Sequence, residues 1–237
     1  MDGILFGSVG VIAETSHLQR AAFNEAFAKA GLDWRWEEEE YNRMLKQSGG
    51  ANRIRSYADA RRDKLTEDQV TELHLSKTKL FDETMVEEGL RPRPGIQRLL
   101  REARAAGLAT AFVTTTSQAN IDAMLAALGE TIEADMFDLI TTAGMVDNGK
   151  PAPDIYTLAI ERLNLTQAVA IEDSAPSMEA AVAAGLTCLV TPGAAHADDD
   201  FAKAAAVVAH LGDPENHVEG ADLPDGFVTL DWLRSLA

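Results

Sequence analysis

The side chains in this chain that could act together on a ligand cluster at three places. Thr114 and Thr115 follow the apolar run 109–113, the adjacent acids Glu172 and Asp173 follow the run 168–171, and Lys150 stands in Gly149-Lys150-Pro151-Ala152-Pro153-Asp154. Ahead of them, Ile4-Leu5-Phe6-Gly7-Ser8-Val9-Gly10-Val11 is a short apolar run that stops at a glycine and turns. It reads as a buried strand delivering its carboxyl end into a loop. In an open α/β sheet, ligands bind in the crevice beyond such strand ends. Hydroxyls, loop amides and an ammonium are groups that suit phosphate oxygens. The bland alternative is a buried lysine and carboxylates that neutralise one another without chemistry.

Other charged or hydroxyl side chains carry two readings each. Val70, Leu73, Leu80, Phe81 and Thr84 mark a helical stripe, and Lys77 falls on it where an apolar residue is due. Either its stem packs while its head reaches water, or it is a ligand. Arg53, at a helix start after Gly49-Gly50, could equally make a surface ion pair of little energy. Ser8 is the hydroxyl nearest Gly7 and Val9, but in extended backbone it points to the opposite face from both, which disfavours a serine nucleophile. Glu14 reads as a hinge or surface acid. Asp198-Asp199-Asp200 precede Phe201-Ala202-Lys203-Ala204, where acids favour a helix amino terminus; such runs are usually solvated, so metal binding is the lesser reading.

The elements that must position these groups follow from periodicity. After the first strand, residues 16–88 carry helical patterns and no convincing strand. Leu18, Ala22, Phe23, Ala26, Phe27 and Ala30 recur at helical spacing up to Gly31; a second helix spans 36–46, Ser48-Gly49-Gly50 breaks the pattern, a third spans 52–62, and Thr66 caps a long fourth. From Leu90 strands and helices alternate: helix 96–106, strand 109–113, helix 117–128, strand 139–142, helix 153–163, strand 168–171, helix 175–184 and strand 187–191, then a short strand at 207–208 and a last helix over 228–236. This grammar predicts a doubly wound, Rossmann-like parallel α/β sheet. Residues 1–15 and 90–237 form that core, and residues 16–89 an inserted domain of four helices.

Composition removes several partners. A formal charge of -17 repels nucleic acid and anionic membrane, both of which are bound mainly through Lys and Arg. No window approaches the length of a membrane span, the amino terminus lacks the succession of a secretory signal, and the lone Cys188 sits in an apolar run. A cytoplasmic protein is expected.

With these motifs in order, the chain resembles the haloacid dehalogenase-like hydrolases, in the branch of β-phosphoglucomutase and the CbbY-like sugar-phosphate phosphatases. Gly10, Val11, Glu14 and Thr15 fit the family's first motif, Thr114 the second, Lys150 the third, and Glu172-Asp173 the fourth. The resemblance implies that the Thr114 hydroxyl and the Thr115 amide hold a phosphate oxygen, that Lys150 balances negative charge, that Glu172 and Asp173 help coordinate Mg²⁺, and that Arg53 and Lys77 bind substrate in a helical cap. It also implies aspartates at positions 7 and 9, one to attack phosphorus and one to act as acid and base. This chain has Gly7 and Val9 there, and Ser177 where the fourth motif continues with glycine.

Two lost carboxylates change the balance of charge. Lys150 alone could neutralise most of what remains, so it is expected to contact Glu172 or Asp173 directly, with Mg²⁺ bound weakly or not at all. The resemblance then implies a disabled phosphatase that binds a phosphorylated small molecule or a protein partner. A noncanonical Mg²⁺-dependent phosphohydrolase or phosphomutase using water on Glu172 and Asp173, and a ligand-free structural role, are the alternatives.

Overall fold

The computed structural model describes residues 1–45, 49–220 and 222–237. They divide into two compact units, Met1–Glu14 with Leu90–Ala237, and Thr15–Gly89.

In the first unit β1 (Gly3–Phe6), β2 (Ala109–Phe112), β3 (Leu139–Ile140), β4 (Ala168–Glu172), β5 (Thr187–Val190) and β6 (Ala206–Val207) form one parallel sheet in the order β3-β2-β1-β4-β5-β6. The strand order reverses at β1, whose Phe6 lies in register with Phe112 on one side and Ile171 on the other. Strands β1 and β4 are buried along their whole length, as parallel strands covered on both faces must be. A single helical turn, α1 (Val9–Ile12), follows β1.

The helices of the second unit come next in the chain: α2 (Ser16–Lys29), α3 (Glu38–Leu45), α4 (Gly50–Arg61) and α5 (Glu67–Glu88). Back in the first unit are α6 (Ile96–Ala105), α7 (Gln118–Leu128), α8 (Asp154–Leu163), α9 (Ala175–Ala183) and α10 (Leu230–Leu236). One core cluster joins Leu5, Ala111 and Val113 to Tyr156, Met178 and Cys188. Cys188 is the buried hydrophobe its context implies, and burial pushes its thiol far above the ordinary range.

Two expectations are corrected in this unit. Residues 7–15 are not a plain loop, because Val11 and Ile12 are buried and the turn of α1 lets both point inward. The alternation argument for Ser8 therefore stops at Ser8 itself, which is extended at ψ 173° and serves as the N-cap residue of α1. No helix follows the three aspartates. Asp200 instead accepts from the Ala202 amide within a turn, and Asp199 accepts from the Ala175 amide at the start of α9. The acids do serve a helix amino terminus, but that of another helix.

In the helical unit an aromatic core forms from Phe23, Phe27, Trp34, Trp36 and Tyr41. The Trp36 ring lies 4.6 Å from Phe23 and 4.8 Å from Phe27, centroid to centroid. Asn24 fixes the extended segment that carries it, accepting from the Trp36 amide at 2.7 Å and donating to its carbonyl at 3.0 Å. Thr66 and Gln69 close a capping box at the start of α5. The expected helix 36–46 is observed as Glu38–Leu45; Lys46, like Ser48 of the expected break, lies outside the described residues. Trp36→Ala is expected to cost about 3–5 kcal/mol, the usual range for truncating a fully buried large aromatic. Urea denaturation followed by far-ultraviolet circular dichroism measures it.

Candidate anion site at the sheet end

The ends of β1, β2 and β4 lie side by side, because the Gly7 amide continues the ladder to the Ile171 carbonyl at 2.9 Å and the Val113 amide to Phe6 at 2.7 Å. That register brings Gly7, Val113, Thr114 and Glu172 to one edge of the sheet. Lys150 reaches the same place, donating to the Val113 carbonyl at 2.9 Å and to Glu172 Oε1 at 2.5 Å. The direct contact between Lys150 and a fourth-motif acid is thus present, and Glu172 is the acid. Tyr156 on α8 donates its hydroxyl to the same Oε1.

Glu172 has no exposed surface. Desolvation pushes its carboxyl above the ordinary range and the charge of Asp173 adds to this, while Lys150 and Tyr156 pull it back down. Burial and the neighbouring Glu172 charge hold the Tyr156 phenol well above its usual value, so it stays a donor. The position of the carboxylate explains how so much charge fits. A Cβ on Gly7 would overlap the Glu172 carboxyl group, so the carboxylate occupies the volume that a side chain at position 7 would need. Its Oε2 rests there buried and without a hydrogen-bond partner.

Asp173 is placed in a similar way. Its carboxylate lies against Gly10, where a Cβ would overlap Oδ2, and its carbonyl accepts from the Gly193 amide at 3.0 Å. Arg93 ties the surrounding loops together by donating to the carbonyls of Gly10, Thr191, Pro192 and Ala209 at 2.8–3.0 Å. Glu14 accepts from the Ala194 amide at 3.0 Å, so it braces the loop after β5. His196 pairs with Asp199 at 2.9 Å nearby in sequence.

Thr114 is buried and held in register by Thr141, whose hydroxyl accepts from the Thr114 amide at 3.0 Å and donates to its carbonyl at 2.9 Å. The Thr114 hydroxyl accepts from the Thr116 amide at 3.2 Å, which leaves its own hydrogen free to donate. Among the described residues the Thr115 amide has no acceptor and the Ser8 hydroxyl no partner. Free donors at a parallel sheet end are suited to an anion.

Magnesium fits this donor set poorly. A hard dication takes about six oxygens. Glu172 Oε1 is committed to Lys150 and Tyr156, Oε2 is sealed against Gly7, and among the described residues no group of three or more Asp, Glu, His or Cys side chains converges to hold a metal ion. Gly7 and Val9 contribute no ionisable side chain.

The helical unit carries the other two expected residues. Arg53 is buried, with its guanidinium 5.8 Å from the Phe23 centroid and 5.9 Å from Tyr41, so it is not a surface ion pair. Lys77 is buried too, with 7% of its surface exposed. Its ammonium lies 4.9 Å from the Phe23 centroid and 4.7 Å from Phe81, and donates to Gln19 Oε1 at 3.3 Å. Loss of water and the Arg53 charge bring its pKa down to about 8. Gly50 leaves room for the His74 ring, which a Cβ there would crowd, and burial with the two cations holds His74 below its usual value.

Sequence reasoning missed Tyr156 and Arg93. A tyrosine between Ile155 and Ala159 on a buried helix face needs a partner for its hydroxyl, which is the signal that was there to use. Arg93, inside Pro92-Arg93-Pro94, gave no signal beyond a rigid link.

A family model for the haloacid dehalogenase-like hydrolases matches residues 1–185, and the chain belongs to that family. It is 43% identical over 235 residues to the plasmid-encoded protein CbbY of Cupriavidus necator, covering 93% of this chain and 91% of that one. It is 40% identical over 206 residues to protein CbbY of Cereibacter sphaeroides, covering 86% and 90%. Among solved structures, CbbY from Rhodobacter sphaeroides in complex with phosphate superposes with a TM-score of 0.79 at 38% identity, covering 89% of this chain and 95% of the other. A mutant of the same protein in complex with xylulose-(1,5)bisphosphate gives 0.81 at 36% identity, covering 97% and 100%.

Two outcomes follow from the charges. Lys150→Met and Glu172→Gln each leave a buried partner uncompensated and are expected to cost about 3–5 kcal/mol singly. The double variant is expected to cost at least about 2 kcal/mol less than their sum, measured by urea unfolding as a double-mutant cycle. For Lys77 the folded pKa lies below the unfolded value, so the charged form opposes folding below pH 8 and the penalty fades as pH rises from about 8 to 10.5. Lys77→Met is therefore expected to be more stable at pH 7, by up to about 3 kcal/mol, with the gain vanishing by pH 11.

Proposed function

We propose that this chain binds a phosphorylated small molecule, of the sugar-phosphate class, and does not cleave it by an aspartyl-phosphate route. The observation that carries the reading is the Glu172 carboxylate seated in the volume of a Gly7 side chain. A haloacid dehalogenase-like site of this kind has no carboxylate at position 7 to attack phosphorus and none at position 9 to move a proton, and its remaining acid next to Lys150 is spent as a counter-ion. The Thr114 hydroxyl, the Thr115 amide and the Ser8 hydroxyl keep donors to spare for phosphate oxygens, with Lys150 supplying positive potential behind them. Arg53 and Lys77 are anion-binding cations of the helical unit on the same reading. The relatives support the ligand class, since one is a CbbY structure with xylulose-(1,5)bisphosphate and another is a phosphorylated carbohydrates phosphatase of Thermotoga maritima. Mg²⁺ binds weakly or not at all, and no nucleic acid or membrane is bound. No helix is long and apolar enough to cross a membrane among the described residues.

The experiment is calorimetric titration with inorganic phosphate and a sugar bisphosphate, with and without Mg²⁺, alongside an aryl-phosphate assay. Saturable binding below millimolar concentration is expected, unchanged by a chelator, weakened about tenfold by Thr114→Val, the loss of one charge-assisted hydrogen bond, and accompanied by no turnover. Mg²⁺-dependent hydrolysis by the unmodified chain would establish metal-activated water on Glu172 and Asp173 instead. Absence of binding at millimolar ligand would leave a structural role.

A further inference from the structure

We propose that Asn148-Gly149 is a site of self-modification, at which the Asn148 side chain closes onto the next amide and ends as isoaspartate, and that this change frees Lys150 from Glu172. It goes beyond the anion-binding reading and does not need it. Asn148-Gly149 is the one Asn-Gly pair in the sequence. Ring closure requires the following amide nitrogen to reach Cγ, so it is fastest where the next residue has no side chain and its amide is unengaged. Both conditions hold. Asn148 and Gly149 are exposed and lie outside any helix or strand. Among the described residues no group accepts from the Gly149 amide, and nothing lies within 4 Å of the place that a Gly149 Cβ would take. The two Asp-Gly pairs, which could close the same ring, are held. Asp2 accepts from the amides of Thr166 and Gln167, with Gly3 buried in β1, and the Gly226 amide donates to the Leu223 carbonyl at 3.0 Å. Asn164 is exposed, but it precedes a leucine whose amide donates to the Ile160 carbonyl at 3.0 Å.

The position of the pair sets the consequence. Asn148 Nδ2 donates to Asp154 Oδ2 at 2.9 Å, which ties the loop to the first residue of α8. Conversion to a carboxylate removes that donor and sets two like charges face to face. The isoaspartyl linkage also adds a methylene to the main chain two residues before Lys150, a lengthening of about 1.5 Å. The Lys150 ammonium is buried and fixed from two sides, by the Val113 carbonyl and by Glu172 at 2.5 Å. A shift of that size breaks the contact and leaves Glu172 buried without its counter-charge.

The reaction needs only water. The Gly149 amide gives its proton to hydroxide, its nitrogen pair bonds to Asn148 Cγ, and the carbonyl π pair moves to oxygen. As that pair returns, the Cγ–Nδ2 bond breaks and the nitrogen takes a proton from water to leave as ammonia, which restores the hydroxide. Water then opens the imide ring. At the main-chain carbonyl it leaves the chain running through Cγ, as isoaspartate, and at Cγ it leaves ordinary aspartate.

The test incubates the full chain at neutral and mildly alkaline pH and maps its peptides by mass. Asn148 is expected to lose its amide about tenfold faster than Asn164, and faster still in alkali, with product that accepts a methyl group from an isoaspartyl methyltransferase. Gly149→Ala, whose Cβ meets open space, is expected to keep the fold by circular dichroism and to slow the loss about tenfold. The isoaspartyl form, separated by ion exchange, is expected to unfold at lower urea and to expose Lys150 to an acylating reagent about tenfold more readily. Asn148→Asp carries the same charge on an ordinary linkage and is expected to fall between the two forms in both measurements. If Asn148 is lost no faster than Asn164, or Gly149→Ala leaves its rate unchanged, the modification is overturned. If the isoaspartyl form keeps the urea midpoint and the Lys150 reactivity of the unmodified chain, the link to Lys150 is overturned.

Discussion

A fully buried carboxylate at the carboxyl end of β4 constrains everything around it. Glu172 loses its water on entering the sheet, and such a group is tolerated in ionised form only with an opposite charge and hydrogen bonds at hand. Lys150 supplies the charge and Tyr156 the hydrogen bond, and Lys150 is itself pinned by the Val113 carbonyl. The chain thereby spends on each other, at one point, a lysine and an acid at the positions that fit the family's third and fourth motifs. Position 7 makes the arrangement possible, because only a residue without a Cβ leaves room for the carboxyl group.

The helical unit handles its buried cations in the opposite way. Lys77 is faced by the rings of Phe23 and Phe81 and by Gln19, and among the described residues it meets no carboxylate at close range. Ring faces stabilise a cation without cancelling its field, as a carboxylate would. A lysine with an aromatic neighbour is therefore paired with a carboxylate in one unit and with ring faces and an amide oxygen in the other.

Much of the fold was legible because it rests on local periodicity. Alternating apolar runs and amphipathic stretches from Leu90 onward give the parallel sheet, and the stripe of α5 buries Val70, Leu73, Lys77 and Phe81 as expected, with Met85 in it and Leu80 and Thr84 only half-buried. The failures are tertiary. The turn of α1 is too short to carry a period, and its helical form follows from the burial of Val11 and Ile12. The three aspartates look like the start of the next helix, yet Asp199 caps α9, a helix that precedes it in the chain. At the candidate site, the resemblance to the family's motifs gave Thr114, Lys150 and Glu172, and the sheet brings their strand ends to one edge. Tyr156 and Arg93 escaped because their partners are far away in sequence and reveal themselves only through hydrogen bonds.

The fit of Glu172 against Gly7 also decides what an acid at position 7 would meet. Glu172 occupies the volume that a side chain at 7 would need, so such an acid would face another acid in a dry space already balanced by a single lysine. Two carboxylates at that distance cannot both stay ionised without a further cation. The fold is that of a haloacid dehalogenase-like hydrolase throughout, so the scaffold alone says nothing of this change. Charge at the sheet end is settled within a few ångströms, by a Glu172 carboxylate that lies against Gly7 and meets Lys150 and Tyr156.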